Sequence, residues 1–301
     1  MTNMTNKTNI TNKTNKTSFI SKNPMTNSTI PITIIEPKKG WVPIEFKEIW
    51  SYRELLYFLT KRDIKVRYKQ TVLGGLWAII QPAFTMIVFT LFFGRLAKMP
   101  SDGMPYPIFV YAALLPWTYF ANAVSTSGNS LVGSAHLITK IYFPRLIVPL
   151  SAAIGGLLDF VIAMFVMGVL IIHYKVILGL SALLFPFLVV LTFLCAVGVG
   201  LWLSALNVQY RDIRYVIPFL IQLWMFVSPV IYPVSMAKGK YLWLLLLNPM
   251  SGVIKAYRAS ILGHQPIDWA FLSLSTAIIF IIFISGLFYF KRMERVFADV
   301  V

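Results

Sequence analysis

The side chains that could do chemistry are few in this 301-residue chain, and their spacing matches no common catalytic arrangement. His136, His173 and His264 lie in separate segments, so no two of them have the spacing of metal ligands. Gly239 and Lys240 are not preceded by the glycine that a phosphate-binding loop requires five residues earlier. There is also no nucleophile elbow and no paired carboxylate within a loop. We therefore expect no enzyme, metal site or cofactor in this chain, and any work driven by ATP needs ATP and Mg bound elsewhere.

The composition indicates lipid as the solvent of most of the chain. Hydrophobic residues make up 57% and charged residues only 13%, against about 25% charged in soluble domains. Six apolar runs are each long enough to cross a hydrocarbon core of about 30 Å as a helix. We predict an all-α integral membrane protein with six transmembrane helices, at about residues 72–93, 107–124, 146–172, 180–206, 216–232 and 269–290.

The distribution of Lys and Arg predicts the orientation of these helices. With both termini in the cytoplasm, 20 of the 27 Lys and Arg fall on the inside and seven on the outside. The formal charge of +16 would also suit a nucleic-acid-binding protein. The cationic residues instead lie in the polar tail and in short segments between apolar runs, where they can contact anionic membrane lipids. We therefore expect lipid rather than nucleic acid as their partner. We expect a multi-pass protein of the cell inner (plasma) membrane.

The remaining segments divide into a tail, an interface helix and a broken apolar stretch. Residues 1–45 are a repetitive Asn/Thr-rich tail and a proline-containing linker, which we expect to be disordered. Residues 46–70 combine apolar residues at helical spacing with many cations, which predicts an amphipathic helix in the membrane interface. Residues 241–262 are apolar but interrupted, so we expect short re-entrant or surface helices between spans 5 and 6; the interrupting residues include Asn248, Pro249, Lys255 and Arg258.

Asp159 is the only acid inside a predicted span. An acid at membrane depth is unfavourable and is therefore a candidate functional residue. It could take part in proton transfer, which needs partners that the spans lack. The alternative is a structural carboxyl satisfied by Ser, Thr, Tyr or backbone groups within the bundle.

Aromatic residues make up 15% of the chain, and many lie near span ends. Trp and Tyr at those positions are typical of the interfacial aromatic belt. The alternative is a stacking surface for sugar rings, whose C–H faces pack on aromatic planes. The side chains that could form such a path are Trp77, Phe84, Trp117, Tyr119, Phe120, Trp224, Phe226 and Tyr232.

Two short segments on the predicted inner side carry conspicuous polar and aromatic side chains. Each is either a positive-inside anchor or a docking element for a soluble motor protein. The first segment contributes His136, Lys140, Tyr142, Phe143, Pro144 and Arg145, and the second contributes Tyr210, Arg211 and Asp212.

Six segments, in this order, resemble the permease subunit of type-2 ABC exporters, in the branch that exports O-antigen, capsule or teichoic acid chains. Together they extend over about residues 46–295, so the domain at 71–295 resembles a type-2 ABC transmembrane domain. The long Asn/Thr-rich start departs from the family pattern. The segments are 62–71 (RDIKVRYKQT), 73–82 (LGGLWA and QP), 140–145 (KIYFPR), 207–213 (NVQYRDI), 228–232 (SPVIY) and 248–250 (NPM).

The resemblance implies a permease that moves a lipid-linked polysaccharide outward across the membrane. It implies a homodimer with two ATP-binding-cassette subunits, which bind the ATP and Mg. It also implies that the loops at 133–145 and 207–214 contact the ATPase, and that the stretch at 235–268 forms short helices at the outer mouth. The residues Asn248, Pro249, Lys255 and Arg258 would then belong to an outer gate, and the aromatic residues would line the glycan path.

Other functions stay open at this point. A type-2 permease for a drug or a small lipid would share the same segments. A multi-pass glycan-transferring enzyme would need charged residues clustered in an outside loop, whereas Asp102 and Asp268 are isolated in the sequence. A passive channel would need no ATPase partner.

Overall fold

The computed structural model of the chain describes residues 46–69, 74–210, 212–263, 265–294 and 297. The predicted tail and linker at 1–45 lie outside these residues. The described residues form helices joined by turns, and no strand occurs among them. The α-helices are α1 Phe46–Ser51, α2 Arg53–Lys69, α3 Trp77–Phe89, α4 Tyr106–Gly133, α5 Ala135–Ile138, α6 Ile147–His173, α7 Phe185–Gln209, α8 Ile213–Val227, α9 Lys240–Leu247, α10 Pro249–Leu262 and α11 Trp269–Met293.

Shorter helical turns extend two of these helices. α3 is preceded by a 3-10 turn at Gly74–Leu76 and continues as a π-helix at Thr90–Leu96. α7 is preceded by a 3-10 turn at Leu180–Leu184. A further 3-10 turn, Val234–Met236, lies between α8 and α9. The fold is thus all-helical, and the region where we predicted one amphipathic helix, 46–70, contains two helices, α1 and α2.

The described residues contain five helices that are long and apolar enough to cross a membrane, against the six that we predicted. The five are Gly74–Leu96, Tyr106–Gly133, Ile147–His173, Leu180–Gln209 and Trp269–Met293. The remaining predicted span, 216–232, corresponds to α8, which has 15 residues and a length of about 22 Å. It ends at Val227 because Ser228 adopts an extended backbone before Pro229.

α4 lies at the centre of the bundle and is buried along most of its length. It packs against α6 and α7, and α7 packs in turn against α11. α2 packs on α6, while α10 contacts α4, α7 and α11. In contrast, α3 buries only Pro82 and α8 buries only Ile217 among their described residues. Most side chains of α3 and α8 therefore remain at least partly exposed within the single chain.

α7 and α11 approach each other closely at two glycines. A Cβ at Gly286 would lie 2.5 Å from the carbonyl oxygen of Gly198. A Cβ at Gly198 would lie 2.8 Å from the Cα of Phe283. Small residues at such a crossing let helix backbones approach within membranes, where dispersion contacts replace the hydrophobic driving force.

Contacts at the C-terminal end of α4 join three distant segments. The Ser127 hydroxyl donates to the Pro149 carbonyl at 2.9 Å, which ties the start of α6 to α4. The Asn207 amide donates to the Gly128 carbonyl at 2.9 Å, which ties the end of α7 to the same place. Pro144 precedes α6 here, and its carbonyl accepts from the Ile147 N–H at 3.1 Å. We therefore name this part of the molecule the Pro144 end.

The other end of α4 meets the turns around α8, α9 and α10. The Tyr106 hydroxyl donates to the Ile231 carbonyl at 2.8 Å. The Ser235 hydroxyl donates to the Asp102 carboxylate at 2.9 Å. Asn248 lies here, between α9 and α10, so we name this part the Asn248 end. α4 therefore runs from the Asn248 end to the Pro144 end.

Candidate functional site

The two segments predicted to dock a motor protein both lie at the Pro144 end. In the first, His136, Lys140 and Tyr142 are exposed, and Tyr142 is 74% exposed. In the second, Tyr210 and Asp212 are exposed, whereas Arg211 lies outside the described residues. We name the five exposed side chains the loop surface: His136, Lys140, Tyr142, Tyr210 and Asp212.

The other residues of the first segment fix its position. Phe143 and Pro144 are buried, so they anchor the segment and leave Tyr142 facing outward. The Arg145 backbone N–H donates to Glu294 Oε1 at 3.0 Å, and the Arg145 guanidinium donates to the Glu294 carbonyl. The guanidinium also lies 6.0 Å from the ring centroid of Phe297. These contacts join the segment directly to the end of α11.

Asp159 of α6 is held by two residues of α2. It forms an ion pair with Arg67 and accepts a hydrogen bond from the Tyr68 hydroxyl. Burial raises the pKa of Tyr68 above its ordinary value, and the neighbouring Asp159 carboxylate adds to that shift. The phenol is therefore held as a hydrogen-bond donor. These contacts give the carboxyl a cation and a hydroxyl from α2, neither of which belongs to a predicted span.

A cavity of about 370 Å³ opens beside this ion pair, between α2, α3, α4 and α6. Its lining combines aromatic rings, uncharged polar side chains and the ion pair itself. The side chains that matter here are Arg67, Tyr68 and Asp159, the rings of Trp77, Tyr119 and Phe160, and the polar groups of Gln81, Thr118, Asn122, Ser125 and Thr126.

The predicted glycan-path aromatics fall into two groups. Trp117 and Phe120 are buried within the protomer, where Phe120 packs edge to face on Trp224 with ring centroids 5.1 Å apart. Tyr119 is also buried, and its hydroxyl donates to the Ala153 carbonyl at 3.2 Å. These rings have little or no free face for a sugar.

The second group is exposed or partly exposed. Trp77 and Phe84 on α3 are 52% and 64% exposed, and Phe226 on α8 is 52% exposed. Tyr232 is half-buried, and its hydroxyl donates a hydrogen bond to the Phe226 carbonyl at 3.3 Å.

The broken stretch at the Asn248 end consists of α9 and α10, separated at Asn248 and Pro249. Asn248 caps α10, because its side-chain oxygen accepts from the Met250 N–H at 3.0 Å. The same oxygen accepts from the Trp224 indole at 2.9 Å, and its amide donates to the Ser228 hydroxyl at 2.9 Å. Pro249 suits the first position of the helix, where no N–H partner is needed. Asn248 therefore joins α8 to α10.

The two cations of α10 have different surroundings. Arg258 is buried and donates to the carbonyls of Phe109, Val230 and Tyr232 at 3.1, 2.7 and 3.3 Å. Its guanidinium also lies 3.6 Å from the Phe109 ring centroid. Lys255 forms a 2.7 Å ion pair with Asp268, at the start of α11.

Asp268 also caps α11 by accepting from the Phe271 N–H at 3.1 Å. Its hydrogen bond from the Lys255 ammonium, followed by the one from Phe271, lowers the pKa of Asp268 below its ordinary value. Asp102, Lys255, Arg258 and Asp268 border a second cavity of about 390 Å³ at the Asn248 end.

The family of ABC-2 type transporters matches residues 54–262, which is more than half of the chain. The chain belongs to the ABC-2 type transporter family. The match includes α3 to α10 and all of α2 except its first residue, and therefore the loop surface and both cavities except Gln265 and Asp268.

Within this ABC-2 family, the chain is similar to O-antigen export permeases and to a polysialic acid transport protein. An O-antigen export system permease protein from Myxococcus xanthus is 29% identical over 84% of this chain and 97% of its own. One of that name from Klebsiella pneumoniae is 27% identical over 82% of this chain and 95% of its own. A polysialic acid transport protein from Escherichia coli is 24% identical over 67% of this chain and 78% of its own.

Sequence reasoning did not identify Arg67 and Tyr68 as partners of Asp159 in this ABC-2 protein. They lie 92 and 91 residues away along the chain, outside the predicted spans. It also missed Gln81 and Asn122 as cavity residues. For Asn122, the available signal was the repeat of polar residues along α4 at intervals of three and four residues.

Proposed function

We propose that this chain is the permease subunit of an ATP-driven exporter that moves a lipid-linked polysaccharide from the cytoplasmic side to the outer side of the membrane. The observation that carries the proposal is the match to O-antigen permeases over 95 to 97% of their own length. A match over the whole protein indicates a shared task more strongly than a match limited to a common domain.

The Pro144 end faces the cytoplasm in this proposal, and the loop surface contacts an ATP-binding subunit. The exposed Tyr142, Tyr210 and Lys140 offer that subunit aromatic and cationic contacts on a segment anchored by buried Phe143. Arg145 and Glu294 transmit the movement to α11. α1 and α2 lie in the membrane interface, where the exposed Trp50, Tyr57 and Phe58 would contact lipid.

Two copies of the chain, with two ATP-binding subunits, form the transporter. The uncovered faces of α3 and α8 support this arrangement, because they need a second copy, the substrate or lipid to cover them. Trp77, Phe84 and Phe226 present ring faces there, on which sugar rings can stack. α8 completes six crossings, together with the break that follows it, and both termini are cytoplasmic.

The export path must shelter the glycan from hydrocarbon. An unpaired hydroxyl in an apolar medium costs several kcal/mol, so a polysaccharide does not cross a bilayer unaided. α9 and α10 form the outer gate, with Asn248 and Arg258 as the contacts that hold it closed. The lipid anchor stays in the bilayer while the sugar chain moves.

The direct test is export in cells that lack this chain. Surface polysaccharide should disappear and lipid-linked polysaccharide should accumulate inside, and re-expression should restore export. The chain should also co-purify with an ATP-binding subunit in mild detergent. Normal surface polysaccharide in the deletion strain, or export of a drug alone, would exclude the proposal.

Substitutions in the first docking segment test the coupling role. Tyr142→Ala should reduce export at least tenfold with little change in thermal stability, because Tyr142 is 74% exposed. Phe165→Ala is the matched control and should change export less than twofold, since Phe165 on α6 is 70% exposed and borders neither cavity. Phe143→Ala should instead destabilise the fold by about 3–5 kcal/mol, since it empties a buried aromatic site. Equal export by Tyr142→Ala and wild type would remove this segment from the coupling mechanism.

A further inference from the structure

One face of α4 carries uncharged polar side chains over its half toward the Pro144 end. Thr118, Asn122, Ser125, Thr126 and Asn129 recur at intervals of three and four residues, which places them on one side of the helix. Thr118 and Asn122 lie about 18 and 24 Å from the start of α4 at a rise of 1.5 Å per residue. Both distances fall within a hydrocarbon core of about 30 Å.

Such a row requires a polar neighbour, because lipid cannot hydrogen-bond it. Asn129 has one within the protomer, since its Oδ1 accepts from the Asn207 amide at 3.1 Å. Asn122 is exposed instead, and it borders the 370 Å³ cavity. A site of this size is within the usual range of about 300–1,000 Å³ for ligand pockets.

The cavity offers open hydrogen-bonding groups. Among the described residues, the side chains of Gln81 and Asn122 form no hydrogen bond with the protein. Each amide supplies two N–H donors and an acceptor oxygen. The hydroxyls of Thr118 and Thr126 donate to carbonyls of α4, at 2.8 and 2.7 Å, so their oxygens remain available as acceptors.

The two charged side chains in the described lining of the cavity form an ion pair with each other. Arg67 and Asp159 are paired, so the lining presents no net charge to a ligand. The ring of Trp77 is 52% exposed and borders the same space. Neutral amides, hydroxyl oxygens and one accessible ring suit a neutral ligand with many hydroxyl groups better than they suit a phosphate.

We propose that this cavity binds a saccharide unit of the exported glycan, with Gln81 and Asn122 bonding its hydroxyls and Trp77 stacking on its ring. This inference rests on the proposed function and assigns a binding site to it. The site lies within one chain, between α2, α3, α4 and α6, at the inner half of the membrane.

Photo-crosslinking tests the occupant of the cavity. In a Cys195→Ser background, Asn122→Cys labelled with benzophenone-maleimide and irradiated in polysaccharide-producing cells should give an adduct that reacts with antibody to the polysaccharide. Ile281→Cys on α11 is the control, since Ile281 is 65% exposed and borders neither cavity. An adduct of Asn122→Cys with lipid or a second copy only, or equal glycan adducts at both positions, would overturn the site.

Export by leucine variants tests whether the proposed saccharide site is needed for transport. The double variant Gln81→Leu, Asn122→Leu keeps the helices apolar and should insert normally, but it should lower export at least tenfold. Thr85→Leu, one turn further along α3 and outside the lining, should change export less than twofold. Normal export by the double variant, in a strain whose export depends on this chain, overturns the site and leaves the proposed function intact. Export that does not depend on the chain overturns the proposed function itself.

Discussion

At the scale of single residues, Asp159 shows how a charge is tolerated at membrane depth. Its carboxylate is matched by the Arg67 guanidinium and the Tyr68 hydroxyl, both from α2. The Asp159 side chain is 19% exposed and that of Arg67 is 32% exposed, so the pair is only partly screened by solvent. Removing one partner therefore leaves the other uncompensated in a region of low dielectric constant.

A double-mutant cycle measures this pairing. Arg67→Gln and Asp159→Asn should each destabilise the purified protein, and the double variant should lose less than their sum. The coupling energy should be about 0.5–3 kcal/mol, from denaturation midpoints in one detergent. Lys61→Gln, which removes an exposed cation from the same helix, should change stability by less than about 0.5 kcal/mol. A cycle with zero coupling would show that the ion pair does not hold α2.

The Lys255–Asp268 pair makes stability depend on pH. Since the folded pKa of Asp268 is lowered, its contribution is complete above the unfolded carboxyl pKa of about 4 and is lost as pH falls through the folded value. Asp268→Ala should therefore cost about 1 kcal/mol at neutral pH, largely through the lost cap of α11. Melting curves of both proteins from pH 7 to pH 2 should converge in acid; parallel curves would contradict the assignment.

At the scale of elements, the helices differ in how closely they pack against their neighbours. α7 and α11 meet at Gly198 and Gly286 with no room for a side chain. α3 and α8, in contrast, leave apolar and aromatic side chains uncovered. The first pair is closely packed, whereas the second pair leaves surface exposed that a partner chain, lipid or substrate could cover.

Gly286→Ala tests the tight crossing. The added methyl group would lie 2.5 Å from the Gly198 carbonyl oxygen, so the helices must separate, and we expect a loss of about 1–3 kcal/mol in stability. Gly168→Ala makes the same change in α6 where no atom lies within 4 Å, and it should be neutral or stabilising by up to about 1 kcal/mol. Similar thermal midpoints for the two variants would show that the crossing is more adaptable than its distances indicate.

At the scale of the whole molecule, the contacts of α4 separate two ends with different chemistry. The Pro144 end carries the loop surface and the link from Arg145 to α11. The Asn248 end carries the α9–α10 break, which is tied to α4 through Arg258 and the Phe109 carbonyl. The exporter that we propose requires this separation, because its motor would contact one end and the glycan would leave at the other.

Cysteine labelling decides whether α8 crosses the membrane. In the Cys195→Ser background, Tyr215→Cys at the start of α8 should react with an impermeant maleimide only after the membrane is opened. Lys238→Cys, beyond the end of α8, should react from outside in intact cells. Both positions are exposed. Labelling of both from the same side would reduce the crossings and disprove the orientation that we propose.

The boundaries of the helices were only partly predictable. The apolar run at 107–124 predicts a span that ends where the polar residues begin, whereas α4 continues to Gly133. Uncharged polar residues end a hydropathy maximum without ending a helix, because the backbone hydrogen bonds continue. α8 shows the opposite error, since the apolar run continues past the point where Ser228 and Pro229 stop the helix.

The sequence alone determined the all-helical membrane class, the broken stretch at Asn248 and the segments that carry the family resemblance. These depend on local properties, namely hydropathy, proline position and short motifs. Only the tertiary structure decided that Arg67 and Tyr68 hold Asp159, that Trp117 is buried while Trp77 is exposed, and that a cavity borders Asn122. Which face of a helix is covered depends on neighbours that lie far away along the chain, and local composition carries no information about them.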